Sequence, residues 1–163
     1  MADPGSVSTD AAITFRPRKL RIVGTLFTIG LCVLCAIGWF ALPADLRAMF
    51  NWPQRLTLLA CLGVIVFILA AMAGSYVRAD ASGVRLRNGL RSHQVEWPRV
   101  HKFLLRPGDP WGFMLLRPDD GTPFEADLDA EKWQLMGIQG SDGPLAREAI
   151  KELQRRQRLA QGR

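Results

Sequence analysis

The chain has 163 residues, of which 48% are hydrophobic and 22% charged, and its formal net charge is +6. Its apolar residues are concentrated in two blocks that contain no charge, residues 22–42 and residues 56–77. This distribution excludes a soluble globule with one evenly shared core. It also excludes a large enzyme, because only one small domain fits beside the two blocks.

The N-terminal segment precedes the first block. Its first 15 residues are rich in Ala, Ser, Asp and Gly, a composition that cannot bury enough apolar surface to fold. Three basic residues, Arg16, Arg18 and Lys19, follow directly. We therefore predict that residues 1–19 are a disordered, basic-ended cytoplasmic tail.

The two apolar blocks have the length of membrane-spanning helices. They contain 21 and 22 residues, and a helix of that length is roughly 31–33 Å long, which matches the hydrocarbon core of a bilayer. Trp39, Trp52 and Tyr76 lie near block ends, where interfacial aromatic residues are expected. The blocks predict a transmembrane hairpin over residues 20–77, with helices at 22–42 and 56–77. A buried hairpin of a soluble protein and a cleaved signal peptide are less consistent with two uncharged blocks of this length.

The basic residues predict the orientation of the hairpin. Eight Lys and Arg residues lie close to the two chain ends of the hairpin, before residue 22 and after residue 77. The loop that connects the two helices holds only Arg47 and Arg55. Basic residues are enriched on the cytoplasmic side of membrane proteins. We therefore predict a multi-pass protein of the plasma membrane with both termini cytoplasmic.

The residue types that support catalysis or metal binding are poorly represented. Cys32 and Cys35 form a C-x-x-C, but both lie inside an apolar block with no second Cys/His pair, so we interpret them as small hydrophobic residues. His93 and His101 have no neighbouring ligand pattern for zinc. The sequence contains no nucleophile elbow, phosphate-binding loop or H-E-x-x-H motif. We predict a protein that is not an enzyme, with no catalytic residue, metal or cofactor.

The remaining polar segment predicts one cytoplasmic domain over residues 78–163. Turn signals such as Asn88-Gly89 and Asp119-Asp120-Gly121 separate short apolar runs, which is typical of an antiparallel meander. We expect strands at 84–86, 90–93, 100–105, 111–116 and 124–128, and a buried turn or last strand within 129–140. Asp142-Gly143-Pro144 predicts the start of an amphipathic helix over 144–159, with Leu145 on its apolar stripe.

The order of these segments resembles a known family. Two spans are followed by VRADASGVRLRNGLRSHQVEWPRV, by RPGDPWGFMLLRPDDG and by a terminal helix. This pattern, over residues 16–159, resembles the bacterial pleckstrin-homology (PH)-like domain of actinobacterial membrane proteins, an architecture also found in proteins labelled low molecular weight protein antigen. The resemblance implies an α+β fold, in which two nearly orthogonal antiparallel sheets form a sandwich capped by the C-terminal helix. It implies no catalytic activity, and it implies a binding or scaffolding module at the membrane.

Charge within the polar domain is segregated, which suggests a binding face. Residues 78–106 contain seven basic and two acidic residues, whereas residues 109–131 contain seven acidic residues and one basic residue. A three-residue loop at 87–89 predicts that Arg85 lies opposite Arg91. Like charges placed opposite each other are destabilising, and a bound anion relieves this. The candidate face for anionic lipid or a partner therefore consists of Arg78, Arg85, Arg87, Arg91 and His93. The alternative is that these residues only set the orientation of the protein and solvate a strand face.

These observations predict an integral membrane protein that presents a PH-like domain for protein–protein interaction or scaffolding. Its expected partners are the lipid bilayer and a membrane or cytoplasmic protein, or a second copy of the chain. Two alternatives stay open: an accessory subunit of a larger membrane complex, and a module that binds anionic lipid headgroups. Nucleic acid is not expected as a partner, because no aromatic residues interleave with the basic stretch.

Overall fold

The structure, a computed structural model, describes residues 11–118, 122, 124 and 131–162. These residues form two compact units: one holds the chain up to Arg18 and from Gly74 onward, and the other is Lys19–Ala73. The helices and strands, in chain order, are β1 (Ile13–Phe15), α1 (Arg18–Ala41), α2 (Ala44–Met49), α3 (Trp52–Ala73), β2 (Tyr76–Ala79), β3 (Gly83–Asn88), β4 (Arg91–Glu96), β5 (Val100–Leu104), β6 (Trp111–Leu116), β7 (Lys132–Gln139) and α4 (Pro144–Ala160).

The helical unit contains two helices, α1 and α3, that are long and apolar enough to cross a membrane. The bounds of both helices differ from the predicted 22–42 and 56–77, and α1 begins four residues earlier than predicted. Helix α3 begins at Trp52 because Asn51 and Gln54 form a reciprocal capping box, in which each side chain accepts the other residue's backbone N–H at 3.0 Å. It ends at Ala73, because Tyr76 and Val77 pair in a sheet instead.

The first sheet contains four antiparallel strands in the order β1-β2-β3-β4. Strand β1 lies before the helical segment and β2 follows it, and they pair with Phe15 opposite Val77. The prediction that residues 1–19 are a disordered tail is therefore wrong for this strand, and residues 1–10 lie outside the described part. Ile13 and Phe15 alternate with polar residues and pack against the core, which stabilises the strand through contacts distant in sequence.

The second sheet has the order β5-β6-β7 and packs with the first sheet and α4 around one core. Strand β7 occupies most of the segment predicted as a buried turn or last strand. The predicted strand at 124–128 lies outside the described residues except for Phe124, which is not in a strand, and the turn at 119–121 also lies outside. Trp97 belongs to this core and is 4% exposed, whereas Trp111 is half-buried.

Helix α4 covers the core and one edge of the second sheet. Its buried side includes Ala149, Ile150 and Leu153, as predicted, but Leu145 on the expected apolar stripe is exposed. The Gln157 amide donates to the carbonyl oxygens of Val100 and His101 at 2.9 Å each. The Gln154 and Gln161 amides donate to further carbonyls of Trp97, Val100 and Phe103. The glutamine amides therefore donate hydrogen bonds to backbone carbonyls along the edge of β5 that does not pair with β6.

Candidate functional site: a basic face of the four-stranded sheet

The β3–β4 hairpin has a shorter turn than the sequence analysis predicted. Asn88 pairs with Arg91, so Gly89 and Leu90 form a two-residue turn. Gly89 has φ +62°, and glycine is preferred at the first central position of a two-residue type II′ turn. Arg85 consequently lies opposite Gln94 and not opposite Arg91. The pairing differs by an odd number of residues, which moves the side chains of β4 to the other face of the sheet.

Three of the five predicted site residues share the outer face of this sheet. Val77 and Leu86 point into the core, so their neighbours Arg78, Arg85 and Arg87 lie on the opposite side. Arg78 and Arg85 are directly opposite each other in the register. Such a like-charged pair costs a few tenths of a kcal/mol to about 1 kcal/mol. The predicted pairing of Arg85 with Arg91 is therefore wrong, and Arg85 has Arg78 as its like-charged neighbour instead.

The guanidinium groups on this face are held mainly by neutral partners. Arg85 Nη2 donates to Gln94 Oε1 at 2.9 Å, and Arg87 Nε donates to the Gly89 carbonyl at 2.9 Å. Arg78 Nε lies 4.0 Å from an Asp80 carboxylate oxygen. The pKa of Asp80 is lowered, mainly because its carboxylate accepts hydrogen bonds from Ser82. This carboxylate is therefore charged, but its single negative charge does not neutralise the three positive charges of Arg78, Arg85 and Arg87.

Arg91 and His93 do not belong to this basic face. They lie opposite Asn88 and Leu86, on the core-facing side of the hairpin near its tip. The His93 ring packs against Trp133, with ring centroids 4.5 Å apart. The prediction that all five residues form one site is therefore wrong for these two, because the two-residue turn reverses the faces of β4.

Asn88 joins the two sheets beside the hairpin tip, a role that sequence reasoning missed. Its Nδ2 donates to the Gln134 carbonyl at 2.6 Å, and its Oδ1 accepts the Met136 backbone N–H at 3.2 Å. The turn signal Asn88-Gly89 indicates a turn but carries no information about these long-range bonds. The end of β3 beside the hairpin turn is therefore hydrogen-bonded to β7 of the second sheet.

A buried arginine on α4 holds the N-terminal strand, and the sequence analysis also missed it. Arg156 is 3% exposed; its Nη1 donates to the Ala11 carbonyl at 2.7 Å and its Nε donates to Glu152 at 3.0 Å. Arg155 binds the same carboxylate through two hydrogen bonds of 2.7 and 2.8 Å. Bonding to Arg155 and then to Arg156 lowers the pKa of Glu152 to about 2. The predicted apolar stripe of this amphipathic helix does not include Arg156, so the sequence carried no signal of its burial.

The chemical groups that the described residues bring together on this face are guanidinium groups. Within the described part of the chain, no group of three or more His, Cys, Asp or Glu side chains is placed to hold a metal ion. Cys32, Cys35 and Cys61 are free thiols on the helices. The basic face offers three guanidinium groups on a rigid sheet, an arrangement that recognises carboxylates or phosphates.

Comparison with protein families gives one match. The family described as Bacterial PH domain matches residues 75–156. This range begins at Ser75, just before β2, and ends within α4, so it covers the two sheets and most of the terminal helix but not β1. Comparisons with curated proteins and with solved structures give no match.

Proposed function

Because the chain belongs to the bacterial PH domain family, we propose that it is a non-enzymatic protein that presents this domain for protein interaction at the cytoplasmic face of the cell membrane. Helices α1 and α3 anchor it in the bilayer, and the basic face of Arg78, Arg85 and Arg87 binds an acidic surface of a partner protein. A second copy of the chain is one such partner.

The observation that carries this proposal is the pairing of β1 with β2. The chain leaves the domain at Arg18 and returns at Gly74, and the strands at these two points are hydrogen-bonded neighbours. Both ends of the helical segment are therefore held side by side. This is what a hairpin that crosses a bilayer twice requires, and it fits the basic residues that flank both helices. The domain is therefore joined to its proposed anchor by two adjacent segments of chain.

The orientation is tested by cysteine labelling on a background without the three native cysteines. Ser75 is a poor site because it is buried, so the domain is labelled through Ser92→Cys and the connecting loop through Met49→Cys, both at exposed positions. We expect a membrane-impermeant reagent to label the loop variant in intact cells and the domain variant only after lysis. Labelling of the domain variant from outside would contradict the proposed topology.

The binding face is tested by photo-crosslinking in cells that express the full chain. A photoreactive residue at Arg85 is compared with one at Lys102, an exposed basic residue on β5 of the other sheet. We expect a discrete crosslinked protein at Arg85 and none at Lys102. Arg85→Glu should weaken that complex at least tenfold, about 1.4 kcal/mol, while Lys102→Glu leaves it unchanged. Equal effects at the two positions would refute the assignment of this face.

A second candidate function, an accessory subunit of a larger membrane complex, is favoured by the helices themselves. Neither α1 nor α3 has a buried residue, and the space beside Gly24, Gly30, Gly38 and Gly63 is open to at least 4 Å. Open glycines permit close approach of other helices in a bilayer. Purification in mild detergent distinguishes the two functions: a partner retained by Arg85→Glu but lost on Gly30→Leu binds through the helices.

A further inference from the structure

We infer that the domain has a second contact surface, which inserts into the bilayer that its own helices cross. The membrane-contact surface consists of Leu90 with Arg87 and Arg91 at the hairpin tip, and of Leu145 beside Arg18. This inference rests on the proposed membrane insertion and adds a lipid-binding site that borders the protein-binding face and shares Arg87 with it. Its occupant is a phospholipid surface with anionic phosphates.

The hairpin tip lies directly beside the point where the chain returns from helix α3. The backbone N–H of Gly89 donates to Ser75 Oγ at 3.0 Å, and Ser75 is only two residues beyond Ala73, the last residue of α3. The tip is therefore hydrogen-bonded to a residue that follows the end of α3 by two positions. The next residue, Leu90, is 65% exposed.

The start of α4 lies beside the other crossing point. The carboxylate of Asp142 accepts the backbone N–H of Arg18, the first residue of α1, at 3.3 Å. Leu145 lies three residues after Asp142. Asp142 and Leu145 line one groove of about 350 Å³ together with Arg16 and Arg18. Leu145 is thus next to the entry point of α1, just as Leu90 is next to the exit point of α3.

Exposed apolar side chains in the domain are few, which makes their positions informative. Among the described residues outside 18–73, only Leu90, Leu145 and Leu159 are large, hydrophobic and exposed, at 65%, 51% and 53%. Two of these three adjoin the crossing points. Interfacial sites of membrane-bound proteins combine such apolar side chains with Lys or Arg. Arg87, which donates to the Gly89 carbonyl, and Arg91 lie on either side of Leu90 in the chain, and their guanidinium groups are suited to lipid phosphates.

Leu159 provides a matched control at the opposite end of the domain. It lies 14 residues after Leu145 on α4, about 21 Å along the helix axis. Its end of α4 adjoins Trp97, because the Gln161 amide donates to the Trp97 carbonyl at 2.8 Å. Trp97 follows β4 at the end far from the hairpin tip. A leucine of similar exposure therefore lies away from both crossing points.

The experiment measures the depth of nitroxide labels on the full chain in nanodiscs of anionic and zwitterionic phospholipid. Labels are attached through Leu90→Cys, Leu145→Cys and Leu159→Cys, each combined with replacement of the native cysteines by serine. A fourth label at Leu34→Cys, in the middle of α1, reports membrane insertion itself. Exposure to dissolved oxygen relative to a water-soluble nickel chelate gives the depth. We expect this ratio to be several-fold higher at positions 34, 90 and 145 than at position 159.

The charge component is tested with neutralised variants. Arg87→Gln combined with Arg91→Gln should lower the ratio at position 90 in anionic nanodiscs, whereas Arg158→Gln beside the control leucine should not. Aqueous values at 90 and 145 with an inserted label at 34 would overturn this inference and leave the proposed anchor intact. An aqueous value at 34 would overturn both. An equal ratio at 90 and 159 in every lipid would likewise refute the lipid contact.

Discussion

Gly137 lies where strand β7 crosses β2, and replacing it should loosen the domain at the point where the chain returns from the helical segment. A Cβ atom at Gly137 would lie 2.6 Å from the Val77 backbone nitrogen and 2.7–2.8 Å from two Tyr76 backbone atoms. Ordinary contact begins at 3.4 Å, so the two strands must separate by about 0.8 Å. No side-chain rotation relieves the clash, because all three atoms belong to the backbone.

The expected cost of Gly137→Ala is about 3 kcal/mol, the upper part of the range for overpacked cores. The reduced freedom of the unfolded chain returns at most about 1 kcal/mol. A net loss of about 2 kcal/mol lowers the melting temperature of a domain of this size by roughly 10 °C. The measurement is near-UV circular dichroism of the full chain in detergent, where Trp97, Trp111 and Trp133 report the packing of the domain.

Gly112→Ala is the matched control, because Gly112 is a buried glycine of the same sheet whose new Cβ would meet a side-chain tip. Its nearest atom is the Ile150 Cδ1 at 3.1 Å, which moves by a small change of rotamer. We expect Gly112→Ala to melt within a few degrees of the wild type. If Gly137→Ala melts no lower than Gly112→Ala, the close approach of β7 and β2 does not hold this domain together.

Three further predictions concern other contacts. Glu152→Gln should make the free energy of unfolding depend less on pH between about 5 and 2. The pKa of Glu152 is lowered to about 2 in the folded protein, so the stabilisation from this carboxylate is complete above pH 4.5 and is lost as the pH falls towards 2. A wild-type profile between pH 5 and 2 that the variant reproduces would contradict this. Gln157→Met should cost about 1–3 kcal/mol in thermal unfolding, because the His101 carbonyl loses its amide donor and the Val100 carbonyl keeps only that of Gln161; the more exposed Gln154→Met should cost less. Arg55→Ala should increase proteolysis of the 42–55 loop, because Arg55 lies over the Trp39 and Trp52 rings and donates to two loop carbonyls; unchanged cleavage would show that the loop is held otherwise.

Much of the architecture could be predicted from local sequence patterns. The predictions that were wrong concern features that depend on contacts between residues distant in the chain. The terminal helix was placed within one residue, since Gly143 and Pro144 mark its start and the apolar stripe continues to Leu153. The hairpin turn was located correctly, yet its length was wrong because both two- and three-residue turns accept glycine. That difference decides which side chains of β4 join Arg85 on the basic face. For the candidate site, the sequence therefore predicted that the arginines of β2 and β3 share one face. It did not predict that Arg91 and His93 lie on the opposite face.

The sequence by itself determined the two uncharged apolar blocks of the long helices, the basic residues near their ends and the antiparallel character of the domain that follows. These properties depend on residues close together in the chain, so length, charge and alternation are sufficient to infer them. Only the tertiary structure decided that β1 pairs with β2 across the helical segment, that Gly89 bonds to Ser75 and that Leu145 lines one groove with Arg18. These contacts join residues 14 or more positions apart. Their free energy comes from packing and hydrogen bonds that no local pattern records.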